Sequence, residues 1–279
     1  MQKSSAWPAE RVNEMKIAVA GKGGVGKTFI SGTLARLLAR DGYNVLAVDA
    51  DPNINTASSL GIPSEIAETI IPLSENETLI KEKTGVTPGK SYSKVFRLTP
   101  KVSDIVEKFG VVGPDGVQLL IMGTVNDGGA GCMCPSNALL RVLVQHLLIQ
   151  RKDVLVMDMV AGLEHLGRGT ARRMDTMLAV IEPRMKSVET VKRVLKLAKE
   201  IEVQEVLAVG NKVRYERERP FIEEKRRELG VEVAAYIPYD EEVVEADMLG
   251  IAPIDHDDSS PAVNALYQLK EGLKKRYDF

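Results

Sequence analysis

The run Gly21-Lys22-Gly23-Gly24-Val25-Gly26-Lys27-Thr28 constrains the fold more than any other part of the chain. It satisfies the pattern G-x-x-x-x-G-K-[ST], with a strand-like apolar stretch before it and helical periodicity after it. A chance glycine-rich turn gives the bare pattern in roughly one chain of this length in a hundred, and more rarely between a strand and a helix. Glycines let successive backbone N–H groups converge on phosphate oxygens, and the helix that follows adds the partial positive charge of its N-terminus. The spacing predicts a phosphate loop in which Gly21, Gly23, Gly24, Val25, Gly26, Lys27, Thr28 and Phe29 contact ATP. Lys27 then neutralises the β- and γ-phosphates, and the Thr28 hydroxyl ligates Mg²⁺.

Around this loop, short apolar runs alternate with helical stretches. Strands are predicted over residues 16–20, 44–48, 117–122, 154–157, 177–181, 206–209 and 233–237, and helices over 28–40, 136–150, 187–200, 218–229 and 262–277. Near-continuous apolar strands separated by helices mean an α/β fold, with a mostly parallel twisted sheet covered by helices on both faces. Ligands of such sheets collect at the carboxyl ends of the strands. Residues 63–114 are less regular, with one strand candidate at 94–98, and read as an elaboration beside the nucleotide site. Residues 1–14 are polar, contain the only tryptophan, Trp7, and show no apolar period, so they are expected to be a flexible tail ahead of a single domain spanning 15–279. Met15 is an alternative start.

The formal net charge is −2 and the isoelectric point about 6.1, so no global positive field draws the chain to nucleic acid or to an anionic membrane. No apolar run reaches the roughly 18 residues of a membrane span, and no secretory signal layout is present. The expectation is a cytoplasmic protein whose two cysteines stay reduced.

Residues 44–48 run into Asp49-Ala50-Asp51-Pro52, which places two carboxylates, with alternate exposure, at the carboxyl edge beside the phosphate loop. Strand 154–157 likewise ends in Asp158, followed by Met159-Val160-Ala161-Gly162. A lone strand-terminal aspartate is often a turn former. Three such carboxylates in order with a phosphate loop point instead to Mg²⁺ and an attacking water. Asn211-Lys212 follows strand 206–209.

The only cysteines, Cys132 and Cys134, lie in a glycine-rich loop that leads through Pro135 into a helix. The helix N-terminus favours thiolate, the form that binds metal. Two cysteines cannot close a tetrahedral site, but two chains in a symmetric dimer supply four. An inert buried pair and a redox pair are the alternatives.

Lys22, a second lysine inside the loop, makes the chain resemble the deviant Walker A ATPases, MinD-like P-loop NTPases of the SIMIBI class that include MinD, ParA and the nitrogenase iron protein. The resemblance implies that Lys22 reaches across a nucleotide-sandwich homodimer to the partner's phosphates. It also implies that Asp51 is the switch I aspartate acting on the attacking water. Asp49 then supports the loop or Mg²⁺ through water, Asp158 is the Walker B acid, the Gly162 N–H senses the γ-phosphate, and Asn211 reads adenine, with residues 236–240 completing the adenine wall.

Cys132-Met133-Cys134 together with Asp158-Met159-Val160-Ala161-Gly162-Leu163-Glu164-His165, and the long insert before them, narrow the resemblance to the CooC-type nickel-insertion ATPases. It extends from Lys16 to the C-terminus, leaving the N-terminal tail and the loop at 123–130 as departures. It implies an ATP-dependent accessory ATPase that holds Ni²⁺, or Zn²⁺ in vitro, between the cysteines of two chains. The client would be carbon monoxide dehydrogenase or acetyl-CoA synthase. His165 is then expected in the switch region and His256, among Asp255, Asp257 and Asp258, in a solvated loop; both are candidate metal ligands.

A second reading is an iron–sulfur cluster carrier or reductase ATPase related to the nitrogenase iron protein, since a bridging [4Fe–4S] cluster also takes two cysteines per chain. Against it, residues 158–165 hold no cysteine, and no Cys-x-x-Cys stands near the C-terminus. A positioning or partition ATPase would want an amphipathic membrane helix or a basic DNA face, and neither is legible.

Overall fold

A computed structural model describes residues 14–51, 55–87, 97–123, 135–150, 154–160 and 173–279. Its strands are β1 (Met15–Gly21), β2 (Val45–Ala50), β3 (Val111–Val112), β4 (Gln118–Ile121), β5 (Val154–Val160), β6 (Thr176–Ile181), β7 (Val206–Val213) and β8 (Glu232–Pro238). They form one sheet in the order β3-β4-β2-β5-β1-β6-β7-β8. Every ladder is parallel except β3 with β4, where Val111 opposes Leu119.

The described helices are α1 (Lys27–Arg40), α2 (Thr56–Ser59), α3 (Ser64–Ala67), α4 (Glu77–Thr84), α5 (Ile105–Phe109), α6 (Pro135–Gln150), α7 (Met185–Glu200), α8 (Glu218–Leu229), α9 (Glu241–Leu249), α10 (Pro253–His256) and α11 (Pro261–Tyr277). The two faces of β1 explain why it reads as a continuous apolar run. Met15, Ile17 and Val19 pack in one cluster with Leu34 and Leu37 of α1 and Leu266 and Leu269 of α11. Ala18 and Ala20 point the other way, into a cluster with Leu139 and Leu143 of α6 and Val188 and Val191 of α7. Successive side chains face opposite sides of a sheet that is covered on both.

Each strand and helix predicted outside residues 63–114 is present, with ends shifted by a few residues. Of the candidate strand at 94–98, residues 94–96 lie outside the described residues; Arg97 and Leu98 are not in the sheet, and Arg97 donates its N–H to Thr84 O at the end of α4 (2.9 Å). The described residues of the insert build α3, α4, α5 and the two-residue edge strand β3. Helix α9 escaped the sequence pattern because it has no consistent apolar face. Among its residues Ala246 is buried, while Val244, Met248 and Leu249 are exposed. Residues 1–13 lie outside the described residues. No described helix is long and apolar enough to cross a membrane.

Candidate nucleotide site

Strand β1 is central, flanked by β5 and β6, so the loop after it opens at the carboxyl edge between Asp158 of β5 and Glu182, which follows β6. The backbone there is shaped for glycine. Gly26 is left-handed (φ 92°), and a Cβ on it would overlap the side-chain amide of Asn211. That amide is buried, and its Nδ2 donates to Val25 O (2.7 Å), so β7 holds the loop from behind. Asn211 lies within β7 rather than after it.

Lys27 is buried, with Nζ 3.3 Å from Asp51 Oδ2. Lys22, Gly23 and Gly24 form the exposed outer side of the loop, while Val25 is buried. Phe29, in the first turn of α1, packs its ring on the core.

The acids gather on the other flank. Asp49 and Asp158 stand opposite each other in the β2–β5 ladder. Asp49 Oδ1 accepts the N–H of Asp51 (3.0 Å), and Oδ2 accepts the N–H of Thr56 (3.2 Å), which ties the end of β2 to α2. Burial holds the Asp49 carboxyl above its usual range. Both Asp49 and Asp51 are buried, at 0% and 8% exposure, which corrects the expected alternation. Residues two apart along a strand share a face, so the two carboxylates turn to the same side, and α2 encloses Asp49 through Thr56.

Asp158 Oδ2 accepts the Thr28 hydroxyl (2.6 Å), with Thr56 Oγ1 at 3.5 Å. Its other oxygen, Oδ1, is buried and has no hydrogen-bond partner among the described residues. Burial pushes this carboxyl up to about 6; the charges of Asp49 and Asp51 add to the rise, and Thr28 and Lys27 oppose it. A buried acceptor left open beside a hydroxyl, with two further carboxylates and one lysine, is short of positive charge. Its oxygen donors suit a hard cation such as Mg²⁺.

The arrangement can therefore bind a polyphosphate with its cation and place a carboxylate near the terminal phosphoryl group. The structure brings together Lys27, Thr28, Asp49, Asp51, Asp158 and Asn211. Gly162, His165, Cys132 and Cys134 lie outside the described residues; α6 starts at Pro135, directly after the cysteine loop.

Of the expected adenine wall, Tyr236 gives its hydroxyl to Glu223 and lies under the Arg219 guanidinium. Burial and Glu223 push that phenol up to about 12. Asp240 caps α9 and accepts the Ala262 N–H. Tyr239 lies under Arg214 at 3.4 Å, and its N–H donates to Val213 O at the end of β7 (3.0 Å). His256 is not in a solvated loop: it ends α10, half-buried, with Nε2 3.2 Å from Glu242 Oε2 and Glu245 nearby. Asp255 is taken up by two hydrogen bonds from Arg36 of α1.

Sequence reasoning missed Thr56 and the contacts of Lys212. Thr56 carries no motif. Lys212 stands beside Asn211 in the sequence with no motif of its own, yet its Nζ donates to Gly24 O (2.6 Å) and pairs with Glu182 (3.2 Å).

The family model of the CobQ/CobB/MinD/ParA nucleotide binding domain matches residues 16–254. The chain is 46% identical over 244 residues to an ATP-binding protein of Methanocaldococcus jannaschii, covering 87% of this chain and 92% of that one. It is 40% identical over 241 residues to the carbon monoxide dehydrogenase accessory protein CooC of Rhodospirillum rubrum, covering 86% and 90%. Among solved structures, the septum site-determining protein MinD of Pyrococcus horikoshii, complexed with Mg-ADP, matches with a TM-score of 0.65. That match is 22% identical and covers 94% of this chain and 97% of the other, a likeness of fold.

Proposed function

The chain belongs to the CobQ/CobB/MinD/ParA nucleotide-binding family and is an ATPase of its CooC type, and from that premise we propose that it is a cytoplasmic nickel carrier. It works as an ATP-dependent homodimer that delivers Ni²⁺ to carbon monoxide dehydrogenase or acetyl-CoA synthase. The observation that carries the ATPase site is the open Asp158 Oδ1 beside Thr28, in a cluster short of positive charge. The nickel role is supported by the Cys132-Met133-Cys134 run in a chain 40% identical to a carbon monoxide dehydrogenase accessory protein.

In this reading the loop N–H groups and Lys27 take the β- and γ-phosphates, and Lys27 exchanges its contact with Asp51 for them. Asp51, freed from Lys27, orients the attacking water and draws on its proton. The water oxygen bonds to the γ-phosphorus as the bond to the bridging oxygen breaks, and Lys27 offsets the charge that develops on ADP. Bound Mg²⁺, held by Thr28 and Asp158 with Asp49 behind them, supplies further neutralisation of the phosphates. Asn211 keeps its Nδ2 on Val25 and offers its amide oxygen to the exocyclic amine of adenine. The Gly162 N–H senses the γ-phosphate, and Lys22 reaches the partner's phosphates.

Cys132 and Cys134 of both chains hold the nickel cargo as thiolates, a set that also takes Zn²⁺ in vitro. Hydrolysis then loosens the dimer. The test is activation of purified nickel-free carbon monoxide dehydrogenase by this chain loaded with Ni²⁺. Activation that needs ATP and fails with ADP is expected; equal activation by free Ni²⁺, or with ADP, contradicts the proposal.

A further inference from the structure

We infer that Lys212 is a positioning residue of the phosphate loop, a tether that pulls the Gly24 carbonyl towards β7 and so aims the loop's amides at the nucleotide. This rests on the assignment of the loop to ATP.

The first observation is where Lys212 stands. The β7–β8 ladder is irregular between Gly210 and Val213, and a bulge of that kind re-aims the side chains it carries. Asn211 and Lys212 are those side chains, and both end on the loop: Asn211 Nδ2 on Val25 O (2.7 Å), Lys212 Nζ on Gly24 O (2.6 Å). Glu182, 3.2 Å from the same ammonium, holds it in place from the end of β6.

The second is the direction of the peptides. In a trans peptide the C=O and N–H of one plane point opposite ways. Drawing the carbonyls of Gly24 and Val25 back to β7 therefore turns the N–H groups of Val25 and Gly26 away from it, into the concave side where an anion sits. The Val25 N–H has only a long contact with Lys22 O (3.4 Å), which a phosphate oxygen can replace. Gly24 has φ 79°, and among the described residues nothing lies within 4 Å of where its Cβ would stand, so a side chain at this position would have nothing to pack against. Lys212 supplies what packing does not.

The third is the cost. Lys212 has φ 57°, a left-handed conformation that favours glycine, and it is one of four such non-glycine residues among those described. A lysine where glycine would fit better gives up stability for its side chain.

Two variants test this in the full chain: Lys212→Gly, which removes the tether and relaxes the backbone, and Lys212→Arg, which keeps a cation. Binding of a non-hydrolysable ATP analogue with Mg²⁺, steady-state hydrolysis and the melting temperature of the nucleotide-free protein are measured for each. Lys212→Gly should melt at or above the wild-type temperature, yet bind the analogue about ten-fold more weakly, the loss of one partly exposed charge-assisted hydrogen bond. KM should rise in step, with kcat within about two-fold, and Lys212→Arg should recover most of the affinity. Unchanged affinity in Lys212→Gly while wild type binds overturns the tether, as does weaker binding matched by a fall in melting temperature. A wild-type chain that fails to bind the analogue overturns the ATP assignment and the tether with it.

Discussion

Replacing Asp158 by asparagine should make the nucleotide-free protein more stable and the enzyme nearly inactive. The isosteric amide keeps an oxygen to accept the Thr28 hydroxyl and removes a charge that the fold holds at a cost. In the folded protein this carboxyl sits at about 6 against an ordinary value of 3.8, with burial the main cause. At roughly 1.4 kcal/mol per pH unit, that is a penalty of about 3 kcal/mol once the group is ionised. The sign follows from proton uptake. Between the two values the folded state binds the proton more tightly than the unfolded one, so the penalty is absent below about pH 4, grows towards pH 6 and is complete above it. Unfolding entropies of roughly 2 cal/mol/K per residue convert the gain in Asp158→Asn to a melting point higher by about 5 °C for a chain of 279 residues. Calorimetry of both proteins in chelator, from pH 4 to pH 8, measures it. The wild type should recover its deficit with Mg²⁺ and ATP, and the variant should gain little from them. A variant that melts below wild type at pH 8, or a gain that does not shrink as pH falls, refutes the reasoning.

If buried Lys27 meets the phosphates as proposed, Lys27→Ala should lower ATP hydrolysis by about 10²- to 10³-fold. Asp51→Ala should still bind ATP, yet stall turnover and accumulate as a dimer in a sizing experiment; hydrolysis at the wild-type rate contradicts its role. If exposed Lys22 acts across the dimer, mixing inactive Lys22→Gln chains with inactive Asp51→Ala chains restores one complete site in each hybrid dimer. Phosphate release should then recover to about a quarter of the wild-type rate, and activity no higher than the parents' places Lys22 in its own chain's site.

The parts of the site carried by a strand end and its next few residues were legible in the sequence. The phosphate loop, Asp158 and the Asp49–Asp51 pair each follow an apolar run, and the parallel sheet brings such ends together. What was not legible depends on contacts far apart in the chain. Asp49 is enclosed because Thr56 folds back onto it, and no local pattern marks a hydroxyl seven residues on. Lys212 meets Gly24 across 188 positions, through an irregularity in β7 that its apolar sequence does not announce. His256 and Asp255 sit in an acidic, polar stretch that reads as a loop, yet Arg36 reaches Asp255 from α1 and Glu242 reaches His256 from α9. Strand β3 is only two residues long and α9 lacks an apolar face, so neither gives a periodic signal.

The central claim, a dimer that joins ATP to a shared metal, is tested most directly by sedimentation of the anaerobic protein with Ni²⁺ or Zn²⁺, with metal counted per chain. Four thiolates meet on one dication only when two chains meet, so metal affinity and dimer affinity must strengthen each other. The account predicts one metal per two chains, dimers favoured by metal and by ATP, and the loss of both tight metal binding and metal-driven dimers in Cys132→Ser or Cys134→Ser, with ATP binding retained. One metal per chain that survives Cys132→Ser contradicts it, and so does an iron–sulfur chromophore in the protein as purified.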